Sequence, residues 1–511
     1  MSTANLASRP LGTWLAALTL CALAGCAVGP DFQRPESSTP EVFKRTEAAQ
    51  APSRAVEAEF KAEWWTLFND PILNALEARL VESNLDLAAA SARLVQSRAA
   101  LKIAGAAQFP KVDAAGSYYR ERGSPNGILS LLGNPPVGTQ SQSASGDSPF
   151  AVAPLPGEKS SPPYDLWQFG FDASWELDIW GRVRRTVEAA SALTAASYED
   201  RNAVLLSVRA ELAKDYVDLR DTQSLLDIAK QNLKIARDSE TLTQVRRREG
   251  VTTDLDVANA SAQVATIESL IPTLEARADA EINAIGLLLA QEPGALRETL
   301  AEGELPSLPA KLPIGFSSEL LQRRPDIRRA EAQLHAATAS IGMAKADFYP
   351  RIQLNGSAGF QSLQLSSLAD WASRQFVVGP SITLPIFEGG RLTGTLRLRE
   401  AQQQEAAIVY KQTVLRAWSE VDDALVVYDA EQRRRDRLAA AVSFNQKALA
   451  VAQQRYKAGA VDFLEVLNVQ KQLLQAQSSL EQSRAATAAN LIGLCKALGG
   501  GWETVYAKLE D

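Results

Sequence analysis

Residues 168–182 read QFGFDASWELDIWGR, and most of the stretch alternates strictly. Phe169, Phe171, Ala173, Trp175, Leu177 and Ile179 fall on odd numbers, while Asp172, Ser174, Glu176 and Asp178 fall on even ones. Successive side chains of a strand point to opposite faces, so the pattern predicts a β-strand with one apolar and one wet face. Directly behind it, residues 182–249 run for 68 positions without Gly or Pro. Such a run continues only as helix, roughly 100 Å long at about 1.5 Å per residue.

This pairing of strand and long helix is written twice. Residues 92–117 match 332–357 at an offset of 240, with Pro110 over Pro350 and Gly116 over Gly356. Farther along, Gly250 lies over Gly459 at an offset of 209. The lost 31 positions fall in the Gly-, Ser- and Pro-rich stretch 123–163, which is expected to be a long exposed loop. Each half begins with a helix that stops at an aromatic-Pro pair, Phe109-Pro110 or Tyr349-Pro350. Two strands follow, at about 111–121 and 168–180 in the first half and about 351–363 and 375–387 in the second. Val112, Ala114, Gly116 and Tyr118 share one face; so do Ile352, Leu354, Ala358 and Phe360, and Phe376, Val378, Ile382, Leu384 and Ile386. The second long helix has its own run of 64 residues free of Gly and Pro, 395–458. Gly250 and Gly459 mark reversals into return helices.

A strand of about ten residues with one apolar face is the unit of a transmembrane barrel. Four strands cannot close one, and an open edge is not tolerated in lipid. The expected fold is therefore an α+β membrane protein in which three chains share a twelve-stranded barrel. The long helices are rich in small residues, which lets them approach closely along coiled-coil seams and form the wall of a tunnel. A solid coiled-coil strut without a channel is the competing reading.

Composition narrows the function further. The chain has 511 residues, 46% hydrophobic and 22% charged, with a net charge of −7. No excess of Lys and Arg is available to neutralise phosphates, so no nucleic-acid partner is expected. Cys21, Cys26 and Cys495 offer no disulfide framework. The sole histidine, His335, belongs to no metal-ligand cluster, and neither a phosphate loop nor a nucleophile elbow occurs. No enzyme, metal or cofactor is expected. Arg246, Arg247 and Arg248, and likewise Arg433, Arg434 and Arg435, are expected on solvated helix faces, the first run close to a turn where a partner could touch.

Arg9 and the short apolar run 11–24 read as an export signal, too brief to span a bilayer. The signal ends in Leu23-Ala24-Gly25-Cys26, which resembles a bacterial lipobox. That likeness implies cleavage before Cys26 and acylation of the new N-terminus, and Ala27 in the next position favours the outer membrane. Several longer motifs carry a second resemblance: AVGPDFQRP after Cys26, WWTLFNDP, WELDIWGR, RRPDIRRAE, FYPRI, PIFEGGRL and ALGGGW. Together they resemble the outer-membrane factor family, and more closely its NodT- and OprM-type efflux lipoproteins, relatives of TolC.

The resemblance runs from Cys26 to Trp502 and implies a homotrimer forming an exit duct, with a periplasmic adaptor and an inner-membrane pump of the resistance-nodulation-division type as partners. An outlet for type I secretion is the alternative within the class. It further implies a division into signal (1–25), N-terminal arm (26–62), first repeat (63–291), equatorial linker (292–313), second repeat (314–498) and C-terminal tail (499–511). Family members close the tunnel where the helices reverse. By motif, Asp256, Glu465, Asn468 and Tyr456 would form that aperture, and Gly250, Gly459, Arg248 and Lys457 would face an adaptor. Relatives commonly carry an acid where Asn468 stands, and TolC an Arg where Val461 stands, so any closing tether here is expected to differ.

Overall fold

In the computed structural model, residues 27–35, 54–56, 60–122, 163–314 and 320–506 are described. The lipobox with Cys26, and all but the last residue of the expected loop 123–163, lie outside them. In chain order the elements are β1 (Arg54–Val56), a 3-10 turn (Trp64–Phe68), α1 (Pro71–Ser83), α2 (Leu85–Ala106), β2 (Lys111–Glu121) and β3 (Tyr164–Glu176). Then come α3 (Arg182–Arg248), α4 (Asp254–Leu288), β4 (Lys311–Pro313), α5 (Leu320–Arg323), α6 (Pro325–Ala346) and β5 (Arg351–Ser362). The last are β6 (Arg374–Thr383), α7 (Arg391–Lys457), α8 (Phe463–Ala497) and α9 (Glu503–Tyr506). Helices of 22, 67 and 35 residues occur twice in the same order, as α2, α3, α4 and as α6, α7, α8.

The chain forms two compact units. The first takes residues 101–188 and 339–399 together with the chain before Phe32. Its centre is an antiparallel sheet in the order β2-β3-β5-β6, with β2 and β6 left as open edges. Register aligns the apolar positions of all four strands. Phe171 lies opposite Ala114 on one side and Ala358 on the other, and Ala358 opposite Phe376. The same face carries Val112, Phe169, Trp175, Leu354 and Val378, while Asp172, Gln168, Asn355 and Ser381 occupy the other.

Two strands differ in extent from the sequence reading. β3 runs over Tyr164–Glu176 rather than 168–180. The cause is Asp178, whose carboxylate accepts the backbone N–H groups of Val183 (2.9 Å) and Arg184 (2.8 Å) and so caps α3. Leu177 still donates its N–H to the carbonyl of Ile352 (2.9 Å), but residues 178–181 are thereby drawn out of the ladder to start the helix. β6 stops at Thr383 rather than 387, because its partner β5 begins at Arg351 and offers nothing to pair beyond it.

The second unit is helical, and two of its hydrophobic cores matter most here. One gathers Trp64, Phe68, Leu73 and Leu76 from the N-terminal side, Leu212 and Tyr216 of α3, Ile285 of α4 and Leu491 and Cys495 of α8. Here β1 pairs in parallel with β4, Ala55 opposite Leu312, so the arm and the linker are stitched together. The other core lies toward the helix reversals and contains Val442, Leu449, Tyr456, Phe463, Val466 and Leu473. Polar pairs repeat along α3 and α8 at heptad spacing: Gln470 donates to Ser239 (2.7 Å), and Asn232 donates to Gln477 (2.8 Å). Buried polar pairs of this kind fix the register of packed helices. Among the described residues no helix is long and apolar enough to cross a membrane.

Candidate functional site

Both helix reversals use the same device. At the end of α3 the N–H of Val251 bonds the carbonyl of Arg246 (2.9 Å), and that of Gly250 the carbonyl of Arg247 (3.0 Å). At the end of α7, Ala460 bonds Arg455 (2.9 Å) and Gly459 bonds Tyr456 (3.0 Å). This is the Schellman arrangement, which needs a left-handed residue just past the helix. Gly250 and Gly459 supply it, at φ 76° and 72°. The return helices start alike as well. Thr253 caps α4 and Asp462 caps α8, each accepting the N–H three residues on.

Arg246 ties the two reversals together. Its guanidinium lies 4.7 Å from the centre of the Tyr456 ring and donates to the carbonyls of Tyr456 (3.0 Å) and Lys457 (3.2 Å). A cation there satisfies the last carbonyls of α7 and complements the negative end of its dipole. Arg247 forms a two-pronged pair with Asp254 (2.6 and 2.8 Å), which holds the Asp254 carboxyl below its ordinary range. Two of the three arginines expected on a solvated face are thus spent within the chain, and Arg248 is exposed.

The four residues assigned to the aperture occupy different surroundings. Tyr456 is 4% exposed, packs against Phe463 at 5.6 Å and reaches the Thr243 hydroxyl at 3.5 Å. Asp256 closes a capping box: it accepts from the Thr253 N–H (3.2 Å), the Thr253 hydroxyl (2.9 Å) and the Thr252 hydroxyl. Burial raises the Asp256 pKa, but these three hydrogen bonds outweigh it and leave the carboxyl below its usual range. Glu465 and Asn468 are exposed, one helical turn apart on α8. Among the described residues only Arg455, at 3.8 Å, approaches the Glu465 carboxylate, a separation too long for a strong pair. Lys457 is exposed beside Gly459. Sequence reading put Arg246 on a solvated face and missed its bond to α7, and it missed Thr243, since nothing local marks either contact.

The sheet of the first unit is a separate candidate surface. Phe169 and Phe171 are about half exposed, while Phe376, Val378 and Ile382 are exposed by 75%, 72% and 68%. A contiguous apolar face of this size on one chain is a surface for lipid or protein, not for water. Aromatic residues sit along it: Tyr118 packs on Trp167 at 4.2 Å, and Trp180 stacks on Tyr349 at 4.7 Å where β3 gives way to α3.

An apolar-faced sheet joined to paired, reversing helices of this length defines an outer-membrane channel subunit. The chain belongs to the outer membrane efflux protein family, which matches residues 77–291 and 316–500. It is 30% identical over 487 residues to the toluene efflux pump outer membrane protein TtgC of Pseudomonas putida, covering 95% of each chain. It is also 30% identical over 490 residues to the probable outer membrane lipoprotein SilC of Salmonella typhimurium, covering 95% of this chain and 97% of that one. The solved structure of the outer-membrane channel OprN superposes with a TM-score of 0.83 at 33% identity, over 94% of this chain and all of that one. The protein works in the outer membrane as an exit duct for efflux.

Proposed function

We propose that three copies assemble into one duct, each giving β2, β3, β5 and β6 to a closed twelve-stranded barrel. α3, α4, α7 and α8 would then form one third of a periplasmic tunnel. The observation that carries this reading is the sheet itself, whose edges are unpaired and whose apolar face is exposed along all four strands. Unpaired edges and lipid are incompatible, and closure between copies removes both edges at once. Cys26 would carry the lipid anchor. The reversals at Gly250 and Gly459, with Arg248 and Lys457 exposed beside them, suit contact with a periplasmic adaptor that links the duct to an inner-membrane pump of the resistance-nodulation-division type.

The tunnel would close at the reversals. Threefold symmetry repeats the Glu465 carboxylate around one axis, with neutral Asn468 one turn on, so the ring is acidic and favours cations. Arg246 holds the ends of α3 and α7 together within each chain, and the Arg that TolC carries has no counterpart here because Val461 stands in its place. Purified protein in a planar bilayer separates a duct from a coiled-coil strut: the duct gives discrete current steps, and the strut gives none. Arg246→Ala should lengthen or enlarge those steps by loosening the closed end.

A further inference from the structure

Before Phe32 the chain is seated in a groove made for it. Ala27 lies against Gly181, where a side-chain carbon would stand 2.7 Å from the Ala27 methyl. Val28 donates its N–H to the carbonyl of Trp180 (3.0 Å). Gly29 adopts φ 110° and crosses Gly342 so closely that a Cβ on it would come within 2.5 Å of the Gly342 Cα. Gly342 in turn leaves room for Arg185, whose side chain is 4% exposed and donates to Asp31 (2.6 Å) and Glu188 (2.7 Å). Three glycines, a backbone hydrogen bond and a buried arginine therefore hold residues 27–31 at the junction of β3 and α3. A freely trailing arm would need none of them.

Cys26 is the residue before Ala27, one Cα–Cα step of about 3.8 Å along the chain. Beside Ala27 and Val28 lies an aromatic and aliphatic collar. Trp180 stacks on Tyr349 and donates its indole N–H to the carbonyl of Pro350 (2.9 Å), while Ile179, Phe348 and Tyr349 are 40%, 36% and 38% exposed. Trp and Tyr with one polar tip and one greasy body favour the level of the lipid headgroups. The collar stands where the apolar face of the sheet ends, which is the level at which an acyl chain would enter the leaflet.

We propose that the collar of Ile179, Trp180, Phe348 and Tyr349 is the seat of the protein's own acyl-glyceryl group, delivered there by the docked strap of residues 27–31. The proposal rests on Cys26 being acylated. The lipid then becomes a fixed part of the barrel's surface at the β3 end and not a loose tether, and its position is set by glycines 29, 181 and 342.

The full-length protein can be made in cells fed an alkyne-bearing fatty acid, with the photoreactive residue benzoylphenylalanine at position 179 or at position 382. Ile382 pairs with Ile352 near the same end of the sheet but on β6, two strand spacings of about 4.8 Å from β3. After irradiation, mass spectrometry of peptides reads acyl adducts joining the N-terminal peptide to the labelled position. The expected result is at least threefold more adduct at 179 than at 382. Gly29→Ala, which unseats the strap without touching the sheet, should bring the two to the same level. Equal adduct at both positions in the unaltered strap, or no response to Gly29→Ala, would overturn the proposal. An intact mass lacking acyl groups would overturn the acylation reading itself, and the seat with it, and is recognisable before any irradiation.

Discussion

Asp256 and Glu465 are equivalent by sequence, yet they meet different fates. Asp256 spends its carboxylate on the turn that starts α4, whereas Glu465 leaves its own exposed. Glu465→Gln is therefore the cleaner test of the acidic ring, and should lower the preference for cations over anions in bilayer recordings without altering stability. Thr253→Ala removes the cap and should cost about 1 kcal/mol locally, seen as faster amide hydrogen exchange at the first turn of α4. Since the folded pKa of Asp256 is depressed, the stabilisation it gives is present above the ordinary carboxyl pKa of about 3.9 and is lost as pH falls through the folded value. Exchange protection at this turn should accordingly drop on acidification below about pH 4. The sequence reading assigns both acids to the aperture and gives no sign that Asp256 also closes the cap. Capping depends on where the Thr253 hydroxyl points, and only coordinates supply that.

At the scale of elements, the strands and helices were largely legible, because a period of two and a run without Gly or Pro are strong local signals. What escaped were the ends of β3 and β6, settled by the cap at Asp178 and by the length of β5, and the bond from Arg246 to Tyr456, which joins residues far apart in sequence. The pairing of α3 with α4 carries a further consequence. Asp215, Asp218 and Asp221 of α3 face Glu281 and Arg277 of α4, with Glu211 and Lys214 on α3 and Glu481 on α8 nearby. Burial, then neighbouring acids, push Asp215 and Asp221 each up to about 6. Their folded values lie above the unfolded ones, so the helical unit gains stability as pH falls from 7.5 toward 5. Thermal unfolding followed by far-ultraviolet circular dichroism should show a higher midpoint at pH 5 than at 7.5. Asp221→Asn should shrink that difference while raising the midpoint at pH 7.5.

For the whole molecule, the four strands are the decisive feature. Alternation alone fits a half-buried strand of a soluble sheet, and it is the number of strands, together with the signal before them, that points to a shared barrel. Registers on the sheet put the apolar runs of all four strands on one face, with Leu166 and Val377 as exceptions, a result that alternation strand by strand cannot guarantee, because a slip of one residue inverts a strand. Cargo is another matter. The duct's wall is built by packing and pairing rules, and the chain carries no cluster of side chains chosen for one solute among its described residues. The account's central claim is closure by three chains. Native mass spectrometry of the full-length protein released from lipid nanodiscs tests it most directly. The predicted result is a single assembly of three chains that persists when the nanodisc is stripped away; a predominant monomer, or an assembly of any other number, would contradict the claim.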